Sequence, residues 1–262
     1  MTRSDGIWKL ERGEGPLVAT AIHDGHALRS DLAPLMTLGA DERRHEEDPF
    51  TAAWTGIAPT RIIGLRSRFG LDLDRSRPQS VYLRPEDAWG LVFWRREPPQ
   101  DTLARSVAEH DAFYRMLAKL LDEKRRAHGR IVVLDLHSYN HRRGGPAAAP
   151  ADPQANPQVN VGTRAELHPR WRGLVARFMA DLEAFDFPGG RLDVRENVKF
   201  RGGHMARFIL DRYGEDACVL SLDFKKFFMD EWTGEADPAL LAAVGEALES
   251  TIPGLMAELS NA

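Results

Sequence analysis

The stretch RIVVLDLHSYN, residues 130–140, decides the fold. Its near-continuous apolar run is what a strand covered on both faces requires, which implies helices above and below a sheet. The run ends in Asp135, His137 and a hydroxyl pair. Asp135 and His137 lie two residues apart, so on a strand they face the same side. In an open α/β sheet, sites sit at the carboxyl ends of strands, and this end presents an imidazole and an acid together.

Working outward, SVAEHDAFYRMLAKLLDEKRRAHG (106–129) places Phe113, Met116, Leu117, Leu120 and Leu121 at helical spacing, with Gly129 to end the helix. A helix feeding directly into a central strand points to α/β architecture. PLVATAIHDG (16–25) reads as a second short buried strand that stops at Asp24 and Gly25 and carries His23 at its polar end. ADERRHEEDPF (40–50) breaks apolar periodicity and reads as a charged surface loop, followed by a helix through TAAWTGIA. The alternation in LDLDR (71–75) suits a strand whose acids and arginines leave on one face. Residues 142–163, rich in Pro, Gly, Ala and Asn, read as a long loop of the kind that serves as a lid. Beyond it LVARFMADLEAF and GGHMARFILDRYG are helical, RLDVRENV and ACVLSLDFKKFFMD are strands, and ADPALLAAVGEALESTIPGLMAEL is a closing helix. No repeat or linker divides the chain, so residues 1–262 are expected to form a single domain.

The 262 residues are 43% hydrophobic, enough for one sizeable core. A net charge of −4 argues against a general nucleic-acid surface, which shows a basic excess. The single cysteine, Cys218, cannot form an internal disulfide, and its VLSLDF setting reads as a buried strand neighbour rather than a nucleophile. The opening MTRSDGIWKLERGEG is polar and carries both charge signs, unlike a secretory signal. No apolar run approaches the 18 or so residues of a spanning helix. No membrane partner is therefore expected, and the default setting is cytoplasmic.

His23 and His137 at two matching strand ends suggest a metal site, because catalytic zinc is usually held by three His, Asp or Glu side chains with one position left for water. The competing reading makes each a hydrogen-bonded structural histidine. Asp135 either orients an imidazole or is itself a satisfied polar residue at the strand mouth.

Taken in order, IHDG, EEDPF, SRFGLDLDR, LDLHS, NVGT, GGH and LDFKKFFMDEWTG resemble the N-formylglutamate amidohydrolase family, whose fold is related to the zinc carboxypeptidases. The resemblance implies an α/β three-layer sandwich with a central mixed, mostly parallel sheet, zinc-carboxypeptidase-like. It implies one Zn2+ held by His23, His137 and an acid of the EED segment, for which Glu47 is chosen, with Glu46 and Asp48 as alternatives. It also implies that Asp223 is the catalytic base, where the family has Glu; strand alternation separately puts Lys225 on the face of Asp223, so Lys225 or Lys226 could hold it ionised or form a structural salt bridge. Arg68, Asp74, Arg75 and His204 are then substrate-binding, with DLDR standing where the family more usually has DLNR. Arginine grips carboxylates through two hydrogen bonds, although Arg75 and Arg77 could instead form surface ion pairs with Asp72 and Asp74. NVGT could close over a ligand, and His204 could contact substrate or merely begin a helix.

The function so implied is zinc-dependent hydrolysis of the amide bond of a small acidic N-acyl amino acid, N-formylglutamate first. The rivals are a carboxypeptidase-like peptidase or other amidase, and a degenerate, metal-free binding protein of the same fold.

Overall fold

The structure, a computed structural model, describes residues 6–261; the first five residues of the polar opening stretch lie outside them. One sheet is built from β1 (Trp8–Glu11), β2 (Leu17–Ala21), β3 (Thr60–Gly64), β4 (Ile131–Tyr139), β5 (Val159–Gly162), β6 (Val194–Glu196) and β7 (Ala217–Lys225). Its order is β1-β3-β2-β4-β7-β5-β6. The central run β3-β2-β4-β7 is parallel, β1 and β5 join antiparallel, and β6 runs parallel to β5. The sheet is thus mixed and mostly parallel. β4 is buried along all nine residues, as its apolar run requires.

The helices are α1 (Ala40–Glu46), α2 (Thr51–Trp54), α3 (Gln100–His128), α4 (Arg172–Ala184), α5 (His204–Tyr213) and α6 (Pro238–Asn261). They cover both faces of the sheet. Tyr114 of α3 meets Phe208 of α5 at 4.8 Å between ring centroids, and the turn before α5 presses on Ser221 of β7. Three residues on, Phe224 points to the opposite face and meets Trp54 of α2 at 4.9 Å. The Trp54 indole in turn donates to the Leu241 carbonyl of α6, against which α4 packs. Gly129, with φ 75°, ends α3 and donates to the Arg125 carbonyl.

Residues 142–163 are not loop throughout, since Val159–Gly162 pairs as β5 between β7 and β6, and three further expectations change. ADERRHEEDPF is not a surface loop: residues 40–46 are helical and Glu46, Glu47 and Asp48 are buried. The Gly39 N–H donates to Glu42 Oε2 at 2.7 Å, and acids in the first turn with bases in the last complement the helix dipole, a signal that apolar periodicity cannot see. LDLDR is a turn rather than a strand, because Asp72 Oδ1 accepts from the Asp74 N–H at 2.8 Å and folds the backbone locally. The third concerns α6, which is long and apolar enough to cross a membrane by length and composition. Here one face of it, including Ala243, Val244, Ala247, Leu248 and Leu255, packs into the core.

Candidate active site

The adjacent strands β2, β4 and β7 end side by side. Their carboxyl ends deliver His23, His137 and Asp223 to one cavity of about 540 Å³, with Asp223 directly opposite His137 in the strand register. This juxtaposition follows from the parallel run, because parallel neighbours present the same end of each strand to the same side.

The third member of the cluster arrives from α1. The His45 and Glu47 carbonyls at its C-terminal end accept from the buried Lys226 ammonium at 2.6 and 2.9 Å, and Asn140 Nδ2 also donates to His45 at 2.8 Å. A cation against helix-terminal carbonyls satisfies groups that have no intrahelical partner. Burial pushes the Lys226 ammonium down to about 8. The chain then continues with the Asp48 N–H bonded to the His23 carbonyl at 3.0 Å, which brings the Asp48 side chain between the two histidines.

Asp48 Oδ2 lies 3.5 Å from His23 Nδ1 and 3.1 Å from His137 Nδ1. Each ring turns its other nitrogen to a second buried acid. His23 Nε2 is 2.7 Å from Asp72 Oδ1, and His137 Nε2 is 2.9 Å from Asp135 Oδ2, an ion-pair distance at which neither atom completes an aligned hydrogen bond. Asp135 is held in turn by the Thr20 hydroxyl at 2.6 Å, and Asp72 by Arg68 at 3.0 Å and the Tyr82 hydroxyl. Carboxylates behind imidazoles fix the tautomer and raise ligand basicity. Burial disfavours ionised Asp48, yet the two histidines hold its carboxyl well below the usual range. Burial likewise works against a charged His137, and Asp135 and Asp48 outweigh it and raise the ring well above its ordinary value.

His23, Asp48 and His137 could hold a metal ion, since their ligand atoms all lie within 4.8 Å of one another. The spacing fits: tetrahedral ligands at about 2.0–2.1 Å from zinc sit roughly 3.3 Å apart, and the two contacts to Asp48 bracket that value. Glu47, the acid expected to complete the set, faces elsewhere. Its carboxylate meets His26 Nδ1 at 2.6 Å and the Ser67 hydroxyl, and Asp48 takes the place between the histidines. Glu46 is gripped through both oxygens by Arg143, at 2.8 and 2.9 Å. Glu47 has extended backbone, so its side chain and that of Asp48 point to opposite sides, whereas Glu46 is the last residue of α1 and is turned to Arg143.

Asp223 is half-buried in the cavity wall, and burial pushes its carboxyl up to about 7 against the opposing pull of His137. Neither lysine pairs with it: Lys225 Nζ bonds the Asn156 carbonyl at 3.1 Å, and Lys226 serves α1. Its partner is Asn160, at 3.2 Å.

Arg68, Asp74, Arg75 and His204 all line the same cavity. Arg68 already donates to Asp72, to the Tyr82 hydroxyl and to the Glu46 carbonyl, so two of its five N–H groups remain. Arg75 is more open, with its Nε 4.0 Å from Asp72. Arg77 instead pairs with Asp111 at 2.8 Å on the surface. Asp74 accepts from the Met205 N–H at 2.9 Å and its carbonyl from the His204 N–H at 3.0 Å, which caps the start of α5 from outside. A Cβ on Gly203 would lie 1.6 Å from the Asp74 carboxylate, so this approach requires glycine. Burial pushes the Asp74 carboxyl up to about 6, with Asp135 adding to the effect. His204 begins α5 and also faces Tyr114 at 5.2 Å between centroids. Cys218 is buried and its thiol is pushed up by burial, which does not suit a nucleophile.

Tyr82 and Arg143 are structural partners with no role in the sequence reading, which offered Asp72 to a surface ion pair and Lys226 to Asp223 rather than to His23 and the end of α1. Asp72 was visible inside LDLDR, but nothing local distinguishes a buried acid behind His23 from a surface ion-pair acid.

A family model for N-formylglutamate amidohydrolase matches residues 15–226. The crystal structure of an N-formylglutamate amidohydrolase from Ralstonia eutropha JMP134 superposes with a TM-score of 0.77 at 17% identity, over 97% of this chain and 99% of that one. A gene product of Agrobacterium tumefaciens gives 0.67 at 14% identity, over 95% and 96%. A weaker likeness, TM-score 0.41 at 14% identity over 94% of this chain and 57% of the other, is to a metallo-carboxypeptidase from Burkholderia cenocepacia. No curated protein sequence matches. The family defines the class as a hydrolase of the amidohydrolase kind, acting on a small molecule and built on a mixed α/β sheet fold. Within that class, the chain belongs to the N-formylglutamate amidohydrolase family.

Proposed function

We propose that this chain is a zinc-dependent hydrolase of the amide bond in a small acidic N-acyl amino acid, with N-formylglutamate as the first candidate, working as a single cytoplasmic domain. The observation that carries the reading is the pair of histidines sharing Asp48 through Nδ1, each backed through Nε2 by its own buried acid, with His137 across the strand register from Asp223. Zinc held by His23, Asp48 and His137 would supply a Lewis acid for the scissile carbonyl and lower the pKa of water to about 7. Asp223 takes the proton from the attacking water and passes it to the leaving amine, a role suited to a carboxyl held near neutrality. Asp72 and Asp135 keep the imidazoles oriented. Arg68, through its remaining N–H groups, and Arg75 hold the carboxylates of the substrate. His204 contributes to the cavity wall beside them.

The test is metal content by elemental analysis of protein purified without added metal or chelator, followed by release of formate from N-formylglutamate. About one zinc per chain and turnover are expected. Protein that takes up no metal even when zinc is supplied would favour the metal-free binding protein, and a strict preference for C-terminal peptide residues would favour a peptidase. The choice of acid has its own check. Asp48→Ala should lose the metal, whereas Glu47→Gln should keep about one equivalent, and the reverse pattern would return the ligand role to Glu47.

Asp74 offers a further prediction. Asp74→Asn keeps the oxygen that caps α5 but removes a negative charge beside Arg75. KM for a dicarboxylic substrate should fall by about three- to tenfold at pH 8, equivalent to roughly 1 kcal/mol. The gap should close as pH drops through about 6, where wild-type Asp74 becomes neutral. An unchanged KM at pH 8 would show that the Asp74 charge does not reach the substrate.

A further inference from the structure

Asn160 is fully buried in β5, directly opposite Asp223 of β7 in the antiparallel register. Its Oδ1 accepts from the backbone N–H groups of Lys199 at 2.9 Å and Phe200 at 3.3 Å. Those two donors determine which end of the carboxamide is oxygen, since the flipped orientation would set N–H against N–H and oxygen against a carbonyl and a carboxylate. Nδ2 must therefore donate, and it does so to the Phe200 carbonyl at 2.9 Å and to Asp223 Oδ2 at 3.2 Å. All four hydrogen-bonding positions of the carboxamide are filled. Asp223 takes no other side-chain or backbone hydrogen bond from the described residues, so its Oδ1 is the oxygen left for the cavity.

We propose that Asn160 is a positioning residue for hydrolysis. Its Nδ2 holds the Asp223 carboxylate in one rotamer with Oδ1 free, and its Oδ1 ties that arrangement to the backbone of Lys199 and Phe200, the latter lining the cavity. The proposal rests on the hydrolase reading above, in which Asp223 moves the proton. A buried amide of fixed orientation is suited to this task because it cannot rotate without breaking three other bonds, so the carboxylate meets a donor in one place only. A base displaced by about 1 Å can lose on the order of a hundredfold in rate.

Asn160→Asp separates positioning from scaffolding. It retains an oxygen for the Lys199 and Phe200 N–H groups but replaces the Nδ2 that donates to Asp223 and to the Phe200 carbonyl with a second oxygen. In the zinc-loaded enzyme, kcat should fall by about 10- to 100-fold with KM within about threefold of wild type and zinc still near one per chain. A kcat equal to wild type in a folded, zinc-loaded Asn160→Asp protein would overturn the proposal. A wild-type enzyme that turns over no N-acyl amino acid would overturn the hydrolase reading instead.

The hydrogen bond has a readout independent of turnover and of whether Asn160→Asp folds. The Asn160 side-chain NH2 should give resolved nitrogen–proton resonances in the wild-type protein. In Asp223→Ala these should shift and exchange with water at least about tenfold faster, as expected when a charge-assisted bond is lost. Identical resonances and exchange in the two proteins would overturn the assignment of Asn160 to Asp223.

Discussion

Replacing His137 with alanine is expected to lower the zinc content from about one per chain to background. The substitution removes Nδ1, which faces Asp48 at 3.1 Å, and with it one of three ligand atoms. Loss of an outer partner alone typically costs 10- to 100-fold in metal affinity, so loss of a ligand should cost at least about a thousandfold. A second consequence concerns folding. Asp48 and Asp135 are almost wholly buried, and both face the His137 ring. Alanine leaves two buried carboxylates short of a cation, for which a destabilisation of about 3–5 kcal/mol is expected. Elemental analysis and metal-free denaturation curves check the two parts separately. A variant that keeps a full equivalent of zinc at wild-type affinity would remove His137 from the ligand set. Unchanged metal-free stability would mean that the acids are relieved in some other way.

The second large effect is on chemistry rather than on binding. Asp223→Asn should retain zinc and leave KM nearly unchanged while kcat drops by about 10²- to 10⁴-fold, the usual contribution of a general base. Folding should survive, because the new side chain offers Asn160 an oxygen at the same position. The one-methylene difference from the Glu expected by family resemblance makes this residue the sharpest check on the mechanism. Undiminished turnover in a zinc-loaded Asp223→Asn enzyme would exclude it as the base. Loss of zinc would instead recast Asp223 as part of the metal cluster.

How much of this was legible beforehand varies with the range of the interaction concerned. β4 announced itself through RIVVLDLHSYN because a strand buried on both faces writes an apolar run into consecutive residues. His23 and His137 were found as strand-end histidines, and Asp135 as the same-face neighbour of His137, because period-two geometry needs only local sequence. α3 and its Gly129 stop were readable for the same reason.

The failures have a common origin. α1 has no apolar period to betray it; it is set by the Glu42 contact to Gly39 and by Lys226 and Asn140, residues 181 and 95 positions from the His45 they bond. LDLDR alternates like a strand, yet a side-chain acceptor at Asp72 folds it into a turn and buries that acid behind His23.

By itself, then, the sequence determined the alternation of buried strands and helices, the family, and the chemical types gathered at the strand ends, since each is encoded in short-range pattern or motif. Only the tertiary structure decided that Asp48 and not Glu47 meets the histidines, that Asp72 stands behind one of them, and that Asn160 rather than a lysine holds Asp223. Those choices depend on which carbonyls, amides and charges become neighbours once β2, β4, β5 and β7 are laid side by side. A buried polar group must find its partner there wherever along the chain that partner lies.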